Sequence, residues 1–268
     1  MAELPEINLI SQQMKTELVG KTIAGIEIGQ PKCLNIPPEV FTTALVGAHV
    51  TDVYYRGKWI FTATSQGWLL LCLGMGGEIL LVNRATLPEK HRVIIDFSDH
   101  SCLAVNFWWF GYVHYADQLK NHKMTANLGP NAIALSPESL GALLNKRRGI
   151  LKTFLLDQDR IAGIGNFYIH DILFRARLHP LRLIQTLNRD EINALAAAIH
   201  DRLQLSIDKG GFYYELNLYG QKGGFVMTDL VLGYKENQPC PVCGTTIQKI
   251  KTGSTHSFIC PQCQKAPV

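Results

Sequence analysis

Cys240-Pro241-Val242-Cys243 and Cys260-Pro261-Gln262-Cys263 stand 20 residues apart, first cysteine to third, near the end of a 268-residue chain. Each Cys-x-x-Cys knuckle aims two thiolates at one point, and two knuckles complete a tetrahedral zinc site. A redox pair or two disulfides are the alternative uses of such cysteines. The stretch from Thr245 to Ile259 can form the hairpin that joins the knuckles. With sulfur at all four positions no place is left for a catalytic water, so one structural Zn2+ is the expected cofactor. So short a segment buries no core of its own, and the metal would supply its folding energy. Cys33, Cys72 and Cys102 read as small buried hydrophobes.

A second chemical feature is Gly163-Ile164-Gly165-Asn166, a turn expected to end one helix and start another at Asn166. A helix N-terminus with free N–H groups, beside a side-chain amide, is a phosphate site. Tight helix packing is the plainer use of such a turn. The net +4 is divided as −2 over residues 1–120 and +6 over residues 121–268, so the second half suits a polyanion.

The elements that must hold these groups are legible in outline. Hydrophobic residues make up 47% of the chain, which excludes a disordered polymer, and no apolar run is long enough to span a bilayer. The acidic opening lacks the apolar region of a secretory leader, so a reducing cytoplasm is the expected compartment. Residues 10–19 read as a short amphipathic helix. Strand-like runs at 22–28, 59–64, 68–73, 93–97 and 102–106, separated by turn signals, predict a β-sandwich. Beyond Leu128 the pattern turns helical. Ser136-Pro137-Glu138 opens one helix with a serine N-cap, and Asn188 to Glu191 opens another with Ile192, Leu195, Ile199 and Leu203 on one face. A Gly- and Tyr-rich loop fills 210–225.

Together these features resemble the formamidopyrimidine-DNA glycosylase/endonuclease VIII family. Residues 157–180 resemble its helix–two-turn–helix signature, and the zinc hairpin and the opening Glu3-Leu4-Pro5-Glu6 are placed as in that family. Tyr55-Arg56-Gly57-Lys58 and Leu73-Gly74-Met75 match its N-terminal domain. The resemblance implies an α+β multidomain fold: an N-terminal catalytic β-sandwich with flanking helices over 1–122, a helix–two-turn–helix DNA-binding domain over 123–225, and a zinc β-hairpin over 226–268. It implies a monomeric DNA repair glycosylase with AP lyase activity. Its partner would be double-stranded DNA containing damaged bases, oxidised ones foremost, or abasic sites. The amine of Ala2 would attack C1′ of an extruded nucleotide and form a Schiff base. Glu3 would move protons, and Lys58 and Asn166 would hold phosphates, with Lys152 a further contact and Met75 also at the DNA.

The chain departs from the family pattern where DNA is touched. Ala2 stands where the family has proline, so the amine is primary and needs Met1 removed. Thr255, with His256 beside it, stands where the hairpin carries a phosphate-gripping arginine. Trp108 and Trp109 occupy the place of the arginine that fills the gap left by the flipped base. An indole can stack between bases but cannot give one orphaned base two hydrogen bonds. Adjacent strand residues face opposite ways, so one indole is expected in the core and one in solvent. Asp171 replaces a frequent glutamate, and Tyr234 follows a glycine that arginine normally follows. The alternative to an active enzyme is a catalytically altered or inactive paralogue that binds damaged or abasic DNA.

Overall fold

The computed structural model describes residues 2–266, which form two compact units: 2–127 with 207–224, and 128–206 with 225–266. In the first unit short apolar runs build two antiparallel four-stranded sheets. The chain runs α1 (Leu4–Leu18), β1 (Ile23–Ile28), α2 (Pro38–Leu45), β2 (Val50–Arg56), β3 (Trp59–Thr64), β4 (Gly67–Cys72), β5 (Glu78–Asn83), β6 (Val93–Phe97), β7 (Ser101–Asn106) and β8 (Tyr112–Ala116). One sheet has the order β1-β6-β7-β5 and the other β2-β3-β4-β8. Ile23, Ile79, Ile95 and Val105 from the first sheet share one core with Val53, Ile60, Leu71 and Val113 from the second. Ile7, Ile10 and Met14 of α1 and Phe41 of α2 close that core. This is the expected sandwich with flanking helices. At roughly 25 cal/mol per Å2, burial of such side chains is the main term holding it.

Helix α1 begins six residues earlier than residues 10–19 suggest. Its first turn is fixed by local chemistry rather than by periodicity. The Glu3 N–H donates to Glu6 Oε2 at 2.8 Å, and proline sits in the first turn, where its missing N–H costs nothing.

The second unit holds α3 (Pro137–Leu144), α4 (Leu151–Leu156), α5 (Ile169–Arg175), most of α6 (Arg189–Asp208) and the hairpin β9 (Gln248–Thr252) and β10 (Thr255–Ile259). Ser136 caps α3 by accepting from Ser139 N–H at 3.2 Å. At the start of α6, Asn188 Oδ1 accepts from Glu191 N–H while Glu191 Oε2 accepts from Asn188 N–H, both at 2.9 Å. That reciprocal pair satisfies two otherwise orphaned donors. Among the described residues no helix is long and apolar enough to cross a membrane.

Several histidines are buried uncharged. His114 Nδ1 and His122 Nε2 lie 2.8 Å apart, and His122 Nδ1 lies 2.8 Å from Thr125 Oγ1. Burial, with the neighbouring His122 adding to it, pushes His114 down to about 4. His170 stands edge-on to Tyr234 and Phe258, and burial plus the Lys152 charge push it down to about 3. The unfolded chain takes up these protons near pH ~6.5, before the folded chain can. Their contribution to stability is therefore complete above about pH 6.5 and is lost as pH falls toward 4. We expect the melting temperature to fall across that window. The fall should shrink in His170→Phe, which keeps the ring contacts without a basic nitrogen; an unchanged slope would count against this assignment.

Candidate active site and metal centre

The β-ladder brings several of the sequence-selected residues to one end of a single sheet. Arg56 pairs with Trp59, Trp59 with Cys72, and Cys72 with Tyr112. The Gly57-Lys58 turn, the 73–77 loop and the 107–111 loop therefore all leave the sheet at that end. Gly57 has φ +60 while Lys58 keeps negative φ, the pattern of a tight type II′ hairpin turn. The turn leaves the Lys58 side chain partly exposed, and its charge reaches Cys72. Met75 and the two tryptophans meet directly: Met75 N–H donates to Trp109 O at 2.8 Å, and Trp108 N–H to Met75 O at 3.0 Å.

Helix α1 points its N-terminus at the same end. Asn8 Nδ2 donates to Tyr55 Oη at 2.9 Å, while Lys15, two turns further on, pairs with Asp52 at 2.7 Å. The helix thus runs antiparallel to β2, and Ala2 and Glu3 lie toward the Lys58 turn. Both are buried, Ala2 among the core residues. Met1 lies outside the described residues.

Glu6 is a residue that sequence reasoning passed over. One of its carboxylate oxygens accepts from Glu3 N–H, and the other from Phe212 N–H at 3.0 Å. Farther along α1, Gln13 Oε1 accepts from Leu218 N–H and Glu17 from the Tyr219 hydroxyl. The Gly- and Tyr-rich loop is therefore laced along α1, with Phe212, Tyr213 and Tyr214 beside the N-terminus. A glutamate three residues after Glu3 was the available signal, since it is the reciprocal position of a helix cap.

Both indoles are exposed, which corrects the expectation that one is buried. The chain leaves β7 at Asn106, and Phe107 takes the core position. The next residues are loop rather than strand, so the alternation that would bury one of the pair does not apply.

In the second unit the expectation that a helix starts at Asn166 is also corrected. Helix α4 ends at Leu156 and α5 starts at Ile169, with a shaped loop between. Gln158 organises it: its Nε2 donates to Leu156 O and Ile164 O, and its Oε1 accepts from Gly163 N–H, all at 2.9 Å. Asn166 sits in the following turn, its Oδ1 buried without a hydrogen-bond partner. Asp171, fully buried on α5, accepts N–H groups from Val231, Leu232 and Gly233 at 2.7 to 3.0 Å. It clamps the strand of chain that leads into the hairpin.

Lys152 is 2% exposed, and its ammonium lies within 2.8 to 3.1 Å of Thr252 Oγ1, Thr255 Oγ1, His256 O and Ser257 Oγ. It thereby ties α4 to the hairpin tip, where Thr255 is partly exposed and His256 exposed. Burial without a carboxylate partner pulls the ammonium down to about 8. A cavity of about 430 Å3 lies alongside, lined in part by Lys152, Thr153, Asp157, Thr252 and Thr255. Replacing Lys152 with Met should cost about 1–3 kcal/mol, the price of losing a charged hydrogen-bond centre. Hydrogen exchange at 252–257 should quicken; unchanged protection there would contradict this role.

The four knuckle cysteines put their Sγ atoms within 4.8 Å of one another, with separations of 3.4, 3.6 and 3.9 Å among them. A tetrahedron with Zn–S bonds of ~2.3 Å has S–S edges of about 3.8 Å, so the donor set fits zinc. Gln264 anchors the second knuckle: its Oε1 accepts from Cys260 N–H at 3.1 Å and its Nε2 donates to Leu178 O at 2.8 Å.

Comparison with known proteins covers nearly the whole chain. The family described as Formamidopyrimidine-DNA glycosylase N-terminal domain matches residues 1–107. Formamidopyrimidine-DNA glycosylase H2TH domain matches 128–216, and Zinc finger found in FPG and IleRS matches 237–266. The formamidopyrimidine-DNA glycosylase of Gluconobacter oxydans is 34% identical, covering 99% of this chain and 100% of its own length. That of Pelobacter propionicus is 32% identical over the same shares. Among solved structures, Lactococcus lactis Fpg in complex with an abasic site containing DNA superposes with a TM-score of 0.88 at 26% identity, covering 99% of this chain and all of that one. MutM in complex with carbocyclic 8-oxo-G containing DNA gives 0.87 at 27%, covering 98% of this chain and all of that one.

Proposed function

Because the chain belongs to the formamidopyrimidine-DNA glycosylase family, we propose that it excises damaged bases from DNA with the amine of Ala2 as nucleophile. It is a DNA repair glycosylase with AP lyase activity, acts on DNA containing damaged bases or abasic sites, and holds one structural zinc. The family likeness supplies the activity. What supports the assignment of residues is one observation: the start of α1, the Lys58 turn and the Met75 and tryptophan loops share one end of a sheet.

The Ala2 nitrogen gives its lone pair to C1′ as the glycosidic bond breaks and the bonding electrons leave with the base. Opening of the sugar ring transfers one proton of the attached amine, through Glu3, to the ring oxygen, and the expelled base takes the other, leaving an imine between Ala2 and C1′. Elimination from the imine then cuts the strand on the 3′ side. A free α-amine has a pKa near ~8, so a useful fraction is neutral around pH 7. Lys58 and Asn166 hold phosphates, and Trp108, Trp109 and Met75 fill the space of the extruded nucleotide. Thr255 and His256 meet a phosphate at the hairpin tip, with Lys152 lending charge from beneath. Zinc supplies the fold of the hairpin and takes no part in a chemical step. The division at residues 122 and 225, a monomeric state and a cytoplasmic location belong to the same proposal.

A second reading keeps the interface and drops the chemistry. While Met1 remains attached, the Ala2 nitrogen is an amide, and the protein then binds abasic DNA without cutting it. Strand cleavage on a duplex with one oxidised purine, using protein of confirmed N-terminus, separates the two. Cleaved product supports the enzyme; tight binding with no product supports the binder.

A further inference from the structure

The end of α3, the loop after it, the turn around Ile184 and the start of α6 line a groove of about 690 Å3. Its floor is apolar: Leu144 and Ile184 are buried, and Leu187 and Ile192 partly so. Lys146, Arg147 and Arg148 line it too, and all three are exposed. No carboxylate lines the groove. The arginines of this unit that pair with carboxylates are Arg160, Arg175, Arg182 and Arg202; among the described residues the three groove cations have no such partner. The backbone beneath them is held at both ends. Arg147 N–H donates to Leu144 O at 3.0 Å, Gly149 N–H to Gln185 Oε1 at 3.3 Å, and Ile184 N–H to Gly149 O at 2.9 Å. Lys146 and Gly149 take positive φ, +58 and +113, so the three cations stand on a sharp, preset turn beside the apolar floor.

Three unpaired cations over an apolar floor suit an anion that also carries apolar bulk. Duplex DNA supplies phosphates but no large apolar side chain to seat on that floor. None of the residues given a DNA contact above lines this groove. A peptide supplies both parts: carboxylates that pair with Arg and Lys, and a Leu or Phe that leaves water for the floor. The volume falls within the range of about 300–1,000 Å3 usual for pockets that bury a ligand. An acidic segment too polar to fold by itself is the natural source of such a peptide.

We propose that this groove docks an acidic segment of another protein, one whose run of carboxylates ends in a large apolar side chain. The protein is thereby tethered to a partner through residues that the DNA contacts do not use. The probe is a fluorescein-labelled peptide of several aspartates followed by Leu-Phe, titrated with the full-length, zinc-loaded protein and read by anisotropy. We expect half-saturation below about 100 μM; weaker binding overturns the proposal. Serine in place of the peptide's Leu and Phe should weaken binding by about 10- to 150-fold, the worth of burying one such side chain. Lys146→Gln, Arg147→Gln and Arg148→Gln together, all at exposed positions, should weaken it at least about fivefold. The same triple variant should keep the salt dependence of binding to abasic-analogue duplex DNA, because each lost phosphate contact would lower that slope by about 0.9. A peptide indifferent to its own serine change or to the triple variant overturns the proposal. So does a slope lowered by about two or more, which would place the three cations on DNA instead. Peptide binding is read without DNA, so its failure leaves the glycosylase reading standing.

Discussion

Blocking the Ala2 nitrogen, by acetylation or by retention of Met1, is expected to lower strand cleavage at a damaged base by at least about 10³-fold, the scale of losing a covalent nucleophile. An amide nitrogen has no lone pair to offer C1′, so no imine forms and no elimination follows. Affinity for abasic-analogue DNA should change little, because the phosphate and ring contacts proposed above lie on other residues. A single-turnover cleavage assay and a binding titration on the same blocked sample check both halves. Cleavage that survives the block would move the nucleophile to another group, with Lys58 the first candidate. Ala2→Pro bears on the same step. A secondary amine gives a charged iminium directly, so a gain in cleavage would show that the primary amine limits this chain.

Removing the zinc is expected to have the second largest effect, confined to the end of the chain. Structural zinc in such small modules contributes an apparent ~10–16 kcal/mol, far more than the core of a short hairpin. Cys240 and Cys260 pack with Leu232, Ile247, Phe258 and Phe174 in a small cluster that the metal completes. Chelation or Cys260→Ser should therefore melt residues 240–263, with hydrogen exchange rising there first. The hairpin tip would lose its hold on phosphate, and DNA affinity should fall by about 10- to 150-fold, the worth of a charged hydrogen bond or two. The salt dependence of binding should flatten, since fewer phosphates are neutralised. The N-terminal sandwich has its own core and should keep its melting transition. Loss of both transitions together would contradict the metal's local role.

The parts legible in the sequence are those governed by short-range rules. Two Cys-x-x-Cys knuckles specify their site by spacing alone, and Ser136 and Asn188 announce helix starts by their own side chains. Strands β3 and β6 show as apolar, β-branched runs bounded by turns, which is how a strand buried against a second sheet reads. What stayed hidden depends on partners far along the chain. Lys152 reads as a surface cation until Thr252, Thr255 and Ser257, about 100 residues later, surround it. Glu6 gains its role only when Phe212 arrives from 206 residues away. The Gln158 loop has no periodicity to betray it, so the sequence suggests a helix start at Asn166 where the structure has a turn. The tryptophan pair directly follows a strand, and nothing local in the sequence shows that it lies in a loop hydrogen-bonded to Met75. The family resemblance names the candidate residues, and the register of β2, β3, β4 and β8 brings the Lys58 turn and the Met75 and tryptophan loops to one end of the sheet.

The central claim is that the Ala2 amine becomes covalently joined to the sugar. Borohydride reduction of the wild-type protein with abasic-site DNA, followed by proteolysis and mass spectrometry, tests it most directly. The expected result is a trapped adduct on a peptide that begins at Ala2, with Met1 absent. No adduct from protein shown to start at Ala2, or an adduct carried by a lysine such as Lys58, would contradict it.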